Sequence, residues 1–480
     1  MNPIAKEIFR AYDIRGIVET ALTPETVFAI GQALAIKLKQ LNQEWLIIGR
    51  DCRLSGPMLF EALSSGVRYQ GIHVLDIGQV PTPLMYFATH HLNIPSGIVI
   101  TGSHNPPAYN GLKIVMNHVA LWGESIQEIY HIIQSPSEAQ PETQSNPWLT
   151  FQACKENSST LDGKIKQQDI TSDYLNYICN TVNFSRALKI VVDSGNGVTG
   201  EIAPHLYQRL GAEVIPIFCE IDGRFPNHHP DPGQPKNLID LQKKVVAEKA
   251  DLGLAFDGDG DRLGVVDSEG NIIWPDRQLI LFAQDILSRN PGASILYDVK
   301  CSRHVTAEIE KAKGNPVMYK TGHSLIKAKM REIGALLGGE MSGHLFFKER
   351  WFGFDDALYA GARLLELFSK EKPGCSSKRW FDKVPNSENT PELQLAISEQ
   401  EKFPIMEKLI QMAQFEDARV STIDGLRVDF NDGFGLVRPS NTSAYLILRF
   451  EGDTKKALSR IQEQFRALLS NLLPNQPLPF

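Results

Sequence analysis

The chain has 480 residues, of which 42% are apolar and 22% are charged, and its formal net charge is −7. This composition is that of an ordinary globular protein, and the mild negative charge argues against a general binder of nucleic acids or membrane surfaces. No apolar run approaches the roughly 18 residues that span a membrane, and the length predicts about three or four domains.

Residues 1 to about 135 alternate short apolar runs with helical patterns, which predicts an α/β domain with a mostly parallel sheet. The predicted strands are 45–49, 73–77 and 97–100, and the predicted helices are 57–69, 83–91 and 124–133. From 135 to about 170 the residues Pro, Ser, Gln, Glu and Asn dominate, which is typical of a linker between domains.

The α/β pattern restarts near 171 and again near 272. The strands predicted there are 188–192, 213–218, 251–256, 294–297, 316–319 and 335–338, and the helices are 198–210, 238–249, 277–289, 303–312 and 322–332. Three similar passes indicate a repeated module. The part from about 385 differs, because a helix at 401–413 precedes four short strands and a final helix at 454–472, which predicts an α+β end domain.

A loop with the sequence Thr-Gly-Ser-His-Asn-Pro follows the predicted strand at 97–100. A second apolar run follows at 112–116, so the pattern predicts a strand, an exposed loop and a strand, with Ser103 at the tip of the loop. A hydroxyl between Gly102 and His104 is a candidate nucleophile, because glycine allows close approach and histidine can move a proton. Taken alone, a solvated turn is the better interpretation, since serine and glycine are ordinary turn residues.

Asp257, Asp259 and Asp261 directly follow another predicted strand and are separated by glycines. Ligand sites in α/β sheets favour the carboxyl ends of strands. Three alternating carboxylates can bend onto one hard cation, and Mg²⁺ prefers such oxygen ligands, whereas without a cation they would repel one another. An EF-hand loop does not fit, because its sixth position is Arg262 and its twelfth is Ser268 instead of Gly and Glu.

Two further loops carry polar groups. The loop at 338–344 contains Glu340 and Ser342, which suit the hydroxyl groups of a sugar, although an ordinary glycine-rich turn is an equally good interpretation. The loop at 438–443 combines a guanidinium, small hydroxyls and backbone N–H groups that suit a phosphate, although each is common in turns. Together with Ser103 and the aspartates, these loops predict phosphoryl transfer on a small phosphate ester in a cleft between domains.

Six motifs resemble those of the α-D-phosphohexomutases, most closely the bacterial phosphomannomutase/phosphoglucomutase group; they lie at 9–16, 101–106, 257–262, 320–323, 339–344 and 438–442. The resemblance implies four domains around a central cleft, of which three are related α/β mixed-sheet domains and the last is a C-terminal α+β domain. The implied domains are 1–165 with the phosphoserine loop and a linker at about 135–165, 166–271 with the metal loop, 272–383 with the sugar-binding loop, and 384–480 with the phosphate-binding loop.

The resemblance implies that Ser103 carries a phosphoryl group and gives it to a hexose 1-phosphate of mannose or glucose. The resulting 1,6-bisphosphate turns over, returns its other phosphate to Ser103 and leaves as the 6-phosphate. Mg²⁺ would be held by Asp257, Asp259, Asp261 and a phosphate oxygen on Ser103, and glucose 1,6-bisphosphate would be an activator and intermediate. The expected partners are sugar phosphates, with no nucleic acid and no membrane. We expect a cytoplasmic location, because the N-terminus lacks a signal-peptide pattern and the six cysteines form no C-x-x-C. We also expect a monomer.

The same resemblance implies the remaining site residues. Arg15, His104 and Lys113 are expected to transfer protons and stabilise charge near Ser103, and the choice of general base among them stays open. The expected substrate-binding residues are Tyr12, Arg262, Lys300, His323, Glu340, Met341, Ser342, Gly343, His344, Arg438, Ser440, Asn441 and Thr442. Within this set, the last four are expected to hold the phosphate that is not transferred.

Several alternatives remain at this stage. A phosphoglucosamine mutase is disfavoured by Thr101 and Met341, because that group usually lacks the threonine and has glutamine in place of the methionine. A strict phosphoglucomutase stays open, since Glu340 and Ser342 predict hydroxyl recognition without deciding the stereochemistry at C2. A catalytically silent sugar-phosphate-binding protein is disfavoured by the intact Ser103 and aspartates. A serine phosphatase would share the first half-reaction but release inorganic phosphate.

Overall fold

The structure is a computed structural model that describes residues 4–135, 147–156, 161–441 and 444–480. It divides into two compact units. Unit 1 comprises Met1–Ile273 and Ser342–Lys378, and unit 2 comprises Trp274–Met341 and Arg379–Phe480. The predicted third domain, 272–383, therefore contributes residues to both units.

The first region of unit 1 is a mixed sheet with helices. Its strands are β1 (Ile14–Ile17), β2 (Trp45–Arg50), β3 (His73–Gln79), β4 (Gly97–Ile100), β5 (Tyr109–Met116), β6 (Val119–Ala120) and β7 (Ile165–Gln167), and its helices are α1 (Pro24–Gln40), α2 (Gly56–Tyr69), α3 (Thr82–His91), α4 (Glu124–Gln134) and α5 (Pro147–Glu156). The strand order is β1-β5-β4-β2-β3-β7, with β6 on β5. Strand β2 runs parallel to β3 and β4, whereas β4 and β5 form an antiparallel pair.

The second region of unit 1 follows the same plan. It contains α6 (Thr171–Thr181), β8 (Lys189–Asp193), α7 (Ile202–Arg209), β9 (Glu213–Ile217), α8 (Ile239–Glu248), β10 (Leu252–Phe256), β11 (Leu263–Asp267) and β12 (Ile272–Ile273). The strand order is β12-β11-β10-β8-β9, and β10 runs parallel to β8 but antiparallel to β11. Every residue of β10 is buried, as expected for an apolar strand covered on both faces.

The third region continues the chain into unit 2 and back. It contains α9 (Pro275–Arg289), β13 (Ser294–Asp298), α10 (Arg303–Lys311), β14 (Asn315–Tyr319), α11 (His323–Ile333), β15 (Leu337–Gly339), β16 (Leu345–Phe347), α12 (Ala357–Ser369) and α13 (Ser377–Phe381). In unit 2, β13 lies between β14 and β15 and is parallel to both. The orders β3-β2-β4, β9-β8-β10 and β14-β13-β15 are equivalent, which confirms the predicted repeated module.

The end region of unit 2 is an antiparallel sheet with two helices. It contains β17 (Glu388–Asn389), β18 (Leu393–Ala396), α14 (Glu399–Met412), β19 (Arg419–Ser421), β20 (Leu426–Phe430), β21 (Gly433–Pro439), β22 (Tyr445–Gly452) and α15 (Lys455–Leu472). Helix α15 begins where the Thr454 side chain accepts a hydrogen bond from the backbone N–H of Ala457. Its apolar residues Ile461, Phe465 and Leu469 are buried in the core beneath the sheet.

Most predicted elements are present with shifted ends, but the predicted linker differs. Helix α5 packs against the hydrophobic core of the first region, where the ring centroids of Phe151 and Phe28 lie 5.5 Å apart. Strand β7 extends the sheet of that region beside β3. Residues 136–146 and 157–160 of that segment lie outside the described part of the chain. Across the described residues, the helices are too short or too polar to cross a membrane.

Candidate active site

The serine loop (residues 101–109, of which the last begins β5) follows β4, and the acidic loop (residues 257–261) follows β10 and leads through Arg262 into β11. The hydroxyl of Ser103 donates a hydrogen bond to Oδ2 of Asp257 at 2.8 Å and lies 3.0 Å from Nδ1 of His104. Only 2% of Ser103 is exposed, so the prediction that places Ser103 at the exposed tip is wrong, and the exposed part of the loop is 106–108. The acidic loop covers the serine, and a Cβ atom on Gly258 would overlap the carbonyl oxygen of Ser103.

The three aspartates of the acidic loop converge as their spacing predicts. Each is fully buried, and each can offer an oxygen within 4.8 Å of the others. Burial, reinforced by Asp259 and Asp261, raises the pKa of Asp257 well above its usual value. Within the described residues, Oδ1 of Asp259 is buried without a hydrogen-bond donor. A buried carboxylate oxygen of this kind fits a bound cation, and three such ligands beside a serine hydroxyl suit Mg²⁺.

Lys113 supplies a fixed positive charge beneath the acidic loop. It projects from β5, donates to Oδ2 of Asp259 at 2.7 Å and also bonds to Asp261. Burial alone would lower the pKa of the ammonium, but Asp259 and Asp261 outweigh this and hold the pKa above its usual value. Lys113 is therefore protonated and suits charge stabilisation better than proton abstraction.

His104 is the ring closest to the candidate nucleophile. Burial and then the positive charges of Arg262 and Arg15 lower its pKa well below the usual value, so the imidazole is neutral near pH 7. A neutral ring nitrogen 3.0 Å from the Ser103 hydroxyl can accept its proton. Of the three residues expected to transfer protons, His104 has the geometry that this step needs.

Arg15 contacts the serine loop from the other side. It donates to the carbonyl oxygen of Gly102 at 2.9 Å, bonds to the side chain of Asn105 and pairs with Asp13 at 2.6 Å. Tyr12, directly before Asp13, is half-buried in the turn that precedes β1. The guanidinium of Arg15 thus lies beside the serine loop.

Four more expected residues adjoin the acidic loop in unit 1. The Oγ of Ser342 lies 2.9 Å from Nδ1 of His344, and Nε2 of the same ring lies 3.3 Å from Nε of Arg262 and 3.4 Å from Oδ1 of Asp261. The backbone carbonyl of Gly343 accepts a hydrogen bond from Leu263, the first residue of β11. The sequence 342–344 is therefore held against the strand that leaves the acidic loop.

In unit 2, the buried carboxylate of Asp298 gathers several expected residues. It lies at the end of β13 and accepts hydrogen bonds from the backbone N–H of Met341 and from the hydroxyl of Thr321. Nζ of Lys300 lies 3.9 Å from the same carboxylate and 2.6 Å from Oε1 of Glu392. These contacts place Lys300 beside the loop at 338–341.

Two other expected residues of unit 2 flank this cluster. The carboxylate of Glu340 accepts a hydrogen bond from the backbone N–H of Gly322 at 2.5 Å. His323 follows Gly322 in the chain, and its Nδ1 lies 3.2 Å from Nζ of Lys327. The loops at 320–323 and 338–341 are therefore joined directly by Glu340.

In unit 2, Asp424 connects the loop that contains Arg438 and Ser440 to the loop at 320–323 through hydrogen bonds. Its carboxylate accepts hydrogen bonds from Nε of Arg438 at 2.9 Å and from the backbone N–H of Thr321 at 3.0 Å. The carbonyl oxygen of Ser440 accepts from the buried ammonium of Lys402 at 2.7 Å. Asn441 follows in the same loop, and Thr442 lies outside the described residues.

The structure reveals supporting residues that the sequence analysis missed. In unit 1, Asp51 bonds to the hydroxyl of Thr101 at 2.7 Å, and the hydroxyl of Thr82 bonds to Asp259 at 2.5 Å. In unit 2, the carboxylates of Asp298 and Asp424 likewise accept hydrogen bonds from the loops that carry expected site residues. Asp51 and Asp298 lie at or just beyond the ends of β2 and β13, so a polar residue at the carboxyl end of a parallel strand was the available signal.

Comparison with known proteins matches all four family models of one enzyme family along this chain. The models are described as phosphoglucomutase/phosphomannomutase alpha/beta/alpha domain I at residues 6–140, domain II at 172–270, domain III at 274–383 and the C-terminal domain at 392–468.

Individual relatives match over nearly their whole length. A phosphomannomutase/phosphoglucomutase from Pseudomonas aeruginosa is 50% identical over 98% of this chain and 97% of its own, and a phosphoglucomutase from Neisseria meningitidis is 48% identical over 98% of both. The crystal structure of a phosphoglucomutase/phosphomannomutase family protein from Burkholderia thailandensis has a TM-score of 0.89 at 45% identity, covering 99% of this chain and 100% of that one.

Proposed function

Because the chain belongs to the phosphoglucomutase/phosphomannomutase family, we propose that it interconverts hexose 1-phosphates and hexose 6-phosphates by reversible phosphoryl transfer through Ser103. The observation that carries the proposal is the buried hydroxyl of Ser103, which contacts both Asp257 and the neutral His104. This arrangement combines a nucleophile, a proton acceptor and a set of carboxylates that fit a cation.

The reaction has two balanced transfers. The phosphorylated Ser103 gives its phosphoryl group to the free hydroxyl of a hexose 1-phosphate, so that the Oγ–P bond breaks and an ester bond to the sugar forms. The proton of the sugar hydroxyl ends on Oγ of Ser103, and the product is a hexose bisphosphate. In the second transfer, the Ser103 hydroxyl attacks the other phosphate of the bisphosphate, and the ester bond to the sugar breaks. The serine proton passes to His104 in this step and ends on the released sugar hydroxyl.

Asp257, Asp259 and Asp261 would hold Mg²⁺, which would neutralise charge on the transferring phosphoryl group. Lys113 remains protonated between two of these carboxylates and limits the negative charge that the phosphoryl group meets. Arg15 and Arg262 add positive charge near the serine loop. These residues act on the phosphoryl group without making a covalent bond to it.

For the residues of unit 2, we propose binding roles. Arg438, Ser440 and Asn441, with Thr442, hold the phosphate that is not transferred, because a guanidinium and loop N–H groups suit a phosphate. Glu340 is suited to the sugar hydroxyls, and Lys300 and His323 lie close enough to its loop to assist. We also propose substrate-binding roles for four residues of unit 1 and one of unit 2. They are Tyr12, Ser342, Gly343 and His344 in unit 1 and Met341 in unit 2.

The proposed substrates are mannose and glucose phosphates, since relatives at similar identity carry the names phosphomannomutase/phosphoglucomutase and phosphoglucomutase. Glucose 1,6-bisphosphate is the proposed activator, because it would phosphorylate an unmodified Ser103. We further propose a monomer in the cytoplasm, where sugar phosphates and Mg²⁺ would be available to it.

A coupled assay tests this function. The enzyme is given Mg²⁺ and a trace of glucose 1,6-bisphosphate, and the 6-phosphates formed from α-glucose 1-phosphate and α-mannose 1-phosphate are followed separately. Turnover of both supports a dual-specificity mutase, and turnover of one narrows the substrate. Release of inorganic phosphate would indicate a phosphatase instead. No product from either, with activity on glucosamine 1-phosphate, would indicate a phosphoglucosamine mutase, and no activity at all would indicate a silent binding protein.

A further inference from the structure

Arg53 is a buried arginine whose guanidinium is fully occupied by the serine loop and by Asp51. It lies between β2 and α2, and only 1% of it is exposed. A guanidinium has five N–H donors, and here each has an acceptor. The acceptors are the carbonyl oxygens of Ser103 (2.7 Å), Asn105 (2.6 Å), Pro106 (2.7 Å) and Tyr109 (2.9 Å) and the carboxylate of Asp51 (3.2 Å).

These contacts determine the shape of the serine loop. Four carbonyl groups of one loop turn toward a single side chain, and Ser103 takes a left-handed backbone conformation with φ of 47°. A non-glycine residue keeps such a conformation only where its surroundings impose it. Asp51 holds the other side of the loop, because it accepts hydrogen bonds from the hydroxyl of Thr101 and from the backbone N–H of Gly102.

The backbone of the serine loop lies directly against the guanidinium of Arg53. A Cβ atom on Gly102 would overlap the guanidinium of Arg53, so the loop approaches it as closely as a backbone can. On another side, the guanidinium lies 5.2 Å from the ring centroid of Phe225, which belongs to the second region of unit 1. Phe225 clusters there with Cys52 and Val198, so Arg53 connects the serine loop to the region that carries the acidic loop.

We propose that Arg53 is a positioning residue for phosphoryl transfer: it fixes the serine loop so that the Ser103 hydroxyl stays aligned with the phosphoryl group. It has no donor left for a substrate, and its charge is paired with Asp51, so it acts through the loop alone. This inference rests on the proposed function of Ser103. A lysine could not replace it, because an ammonium has three donors and lacks the planar fork that reaches four carbonyl groups.

The test is the phosphorylation of dephosphorylated enzyme by glucose 1,6-bisphosphate, followed by intact mass against time at several bisphosphate concentrations. For Arg53→Lys we expect the maximal rate to fall about 100-fold, as a misplacement near 1 Å would cause, while the half-saturating concentration stays within twofold. The matched control is Arg50→Lys, which alters an arginine whose guanidinium pairs with Asp76 at 3.1 Å instead of with the serine loop. Its rate should match that of the wild type.

Melting curves recorded for each variant separate positioning from folding. If Arg53→Lys does not fold, Gly102→Ala disturbs the same contact from the loop side and should show the same loss of maximal rate in a folded protein. A folded Arg53→Lys or Gly102→Ala enzyme with a maximal rate within threefold of the wild type would overturn the proposal. A variant that changes only the half-saturating bisphosphate concentration, with an unchanged maximal rate, would also overturn it. If the wild type itself is not phosphorylated, the proposed function fails instead.

Discussion

Replacing Lys113 with methionine would remove the one ammonium that lies between Asp259 and Asp261. The lysine is 4% exposed and both carboxylates are fully buried, so no bulk water is available to solvate the charges that remain. Methionine has nearly the same length and keeps the apolar contacts of the lysine stem. The change therefore isolates the ammonium and its two ion pairs.

The expected effect follows from the cost of leaving a buried charge without its partner. Breaking a buried ion pair by removing one member destabilises a protein by about 3–5 kcal/mol. At roughly 2–4 °C per kcal/mol for a large domain, the melting temperature of unit 1 should fall by about 6–20 °C.

The assay is thermal unfolding in the presence of a chelator, with and without added Mg²⁺. The control is Lys37→Met, because Nζ of Lys37 also pairs with a carboxylate, that of Glu128 at 2.5 Å, but Glu128 is half exposed. A surface pair contributes about 0.2–1 kcal/mol, so the control should melt close to the wild type. Mg²⁺ should raise the melting temperature of Lys113→Met more than that of the wild type, because the variant keeps the full negative charge of the acidic loop.

A melting temperature for Lys113→Met within about 2 °C of the control would refute this reasoning, since a shift that small is what less than 1 kcal/mol produces. An equal stabilisation of variant and wild type by Mg²⁺ would show that the ammonium and the cation do not share the same carboxylates.

Three further predictions follow from other contacts. Asp259→Asn should remove activity or raise the Mg²⁺ concentration needed for it, and an unchanged Mg²⁺ titration would exclude Asp259 from the metal site. Arg438→Ala should mainly raise the KM for the sugar phosphate, because the guanidinium held by Asp424 is lost, and unchanged kinetics would contradict the phosphate-binding role. Burial raises the pKa of Asp356 to about 7, so the folded protein binds a proton there that the unfolded chain releases near pH 3.8. Stability should therefore fall between pH 3.8 and about 7 by up to about 1.4 kcal/mol per pH unit, and Asp356→Asn, which can still accept from the hydroxyl of Tyr174, should flatten the melting profile over that range.

The acidic loop could be predicted from the sequence because its evidence is local. An apolar run ends at Phe256, and carboxylates alternate with glycines directly after it, so strand, turn and ligand type are all visible within a few residues. The serine loop was located for the same reason, from the break between two apolar runs. The burial of Ser103 was not predicted, because the groups that cover this residue, Arg53 and Gly258, lie 50 and 155 positions away from it in the sequence.

Two helices were also missed. Helix α12 is buried on nearly every side, including its charged residues Arg363 and Glu366, and the sequence analysis did not predict it. Helix α5 lies in a segment dominated by polar residues, and its contact through Phe151 with the first core depends on a partner far away in the sequence. The ion pairs of Lys113 likewise depend on the packing of the first region of unit 1 against the second, which brings β5 beside the acidic loop and which no local pattern encodes.

The most direct measurement is the fate of the phosphoryl group on the enzyme itself. Dephosphorylated wild type and Ser103→Ala are incubated with glucose 1,6-bisphosphate and Mg²⁺, digested and mapped by mass spectrometry. The account predicts one added phosphoryl group, located on Ser103, which disappears when glucose 1-phosphate is added, and no addition to the variant. A phosphoryl group on another residue, or mutase activity retained by Ser103→Ala, would contradict it.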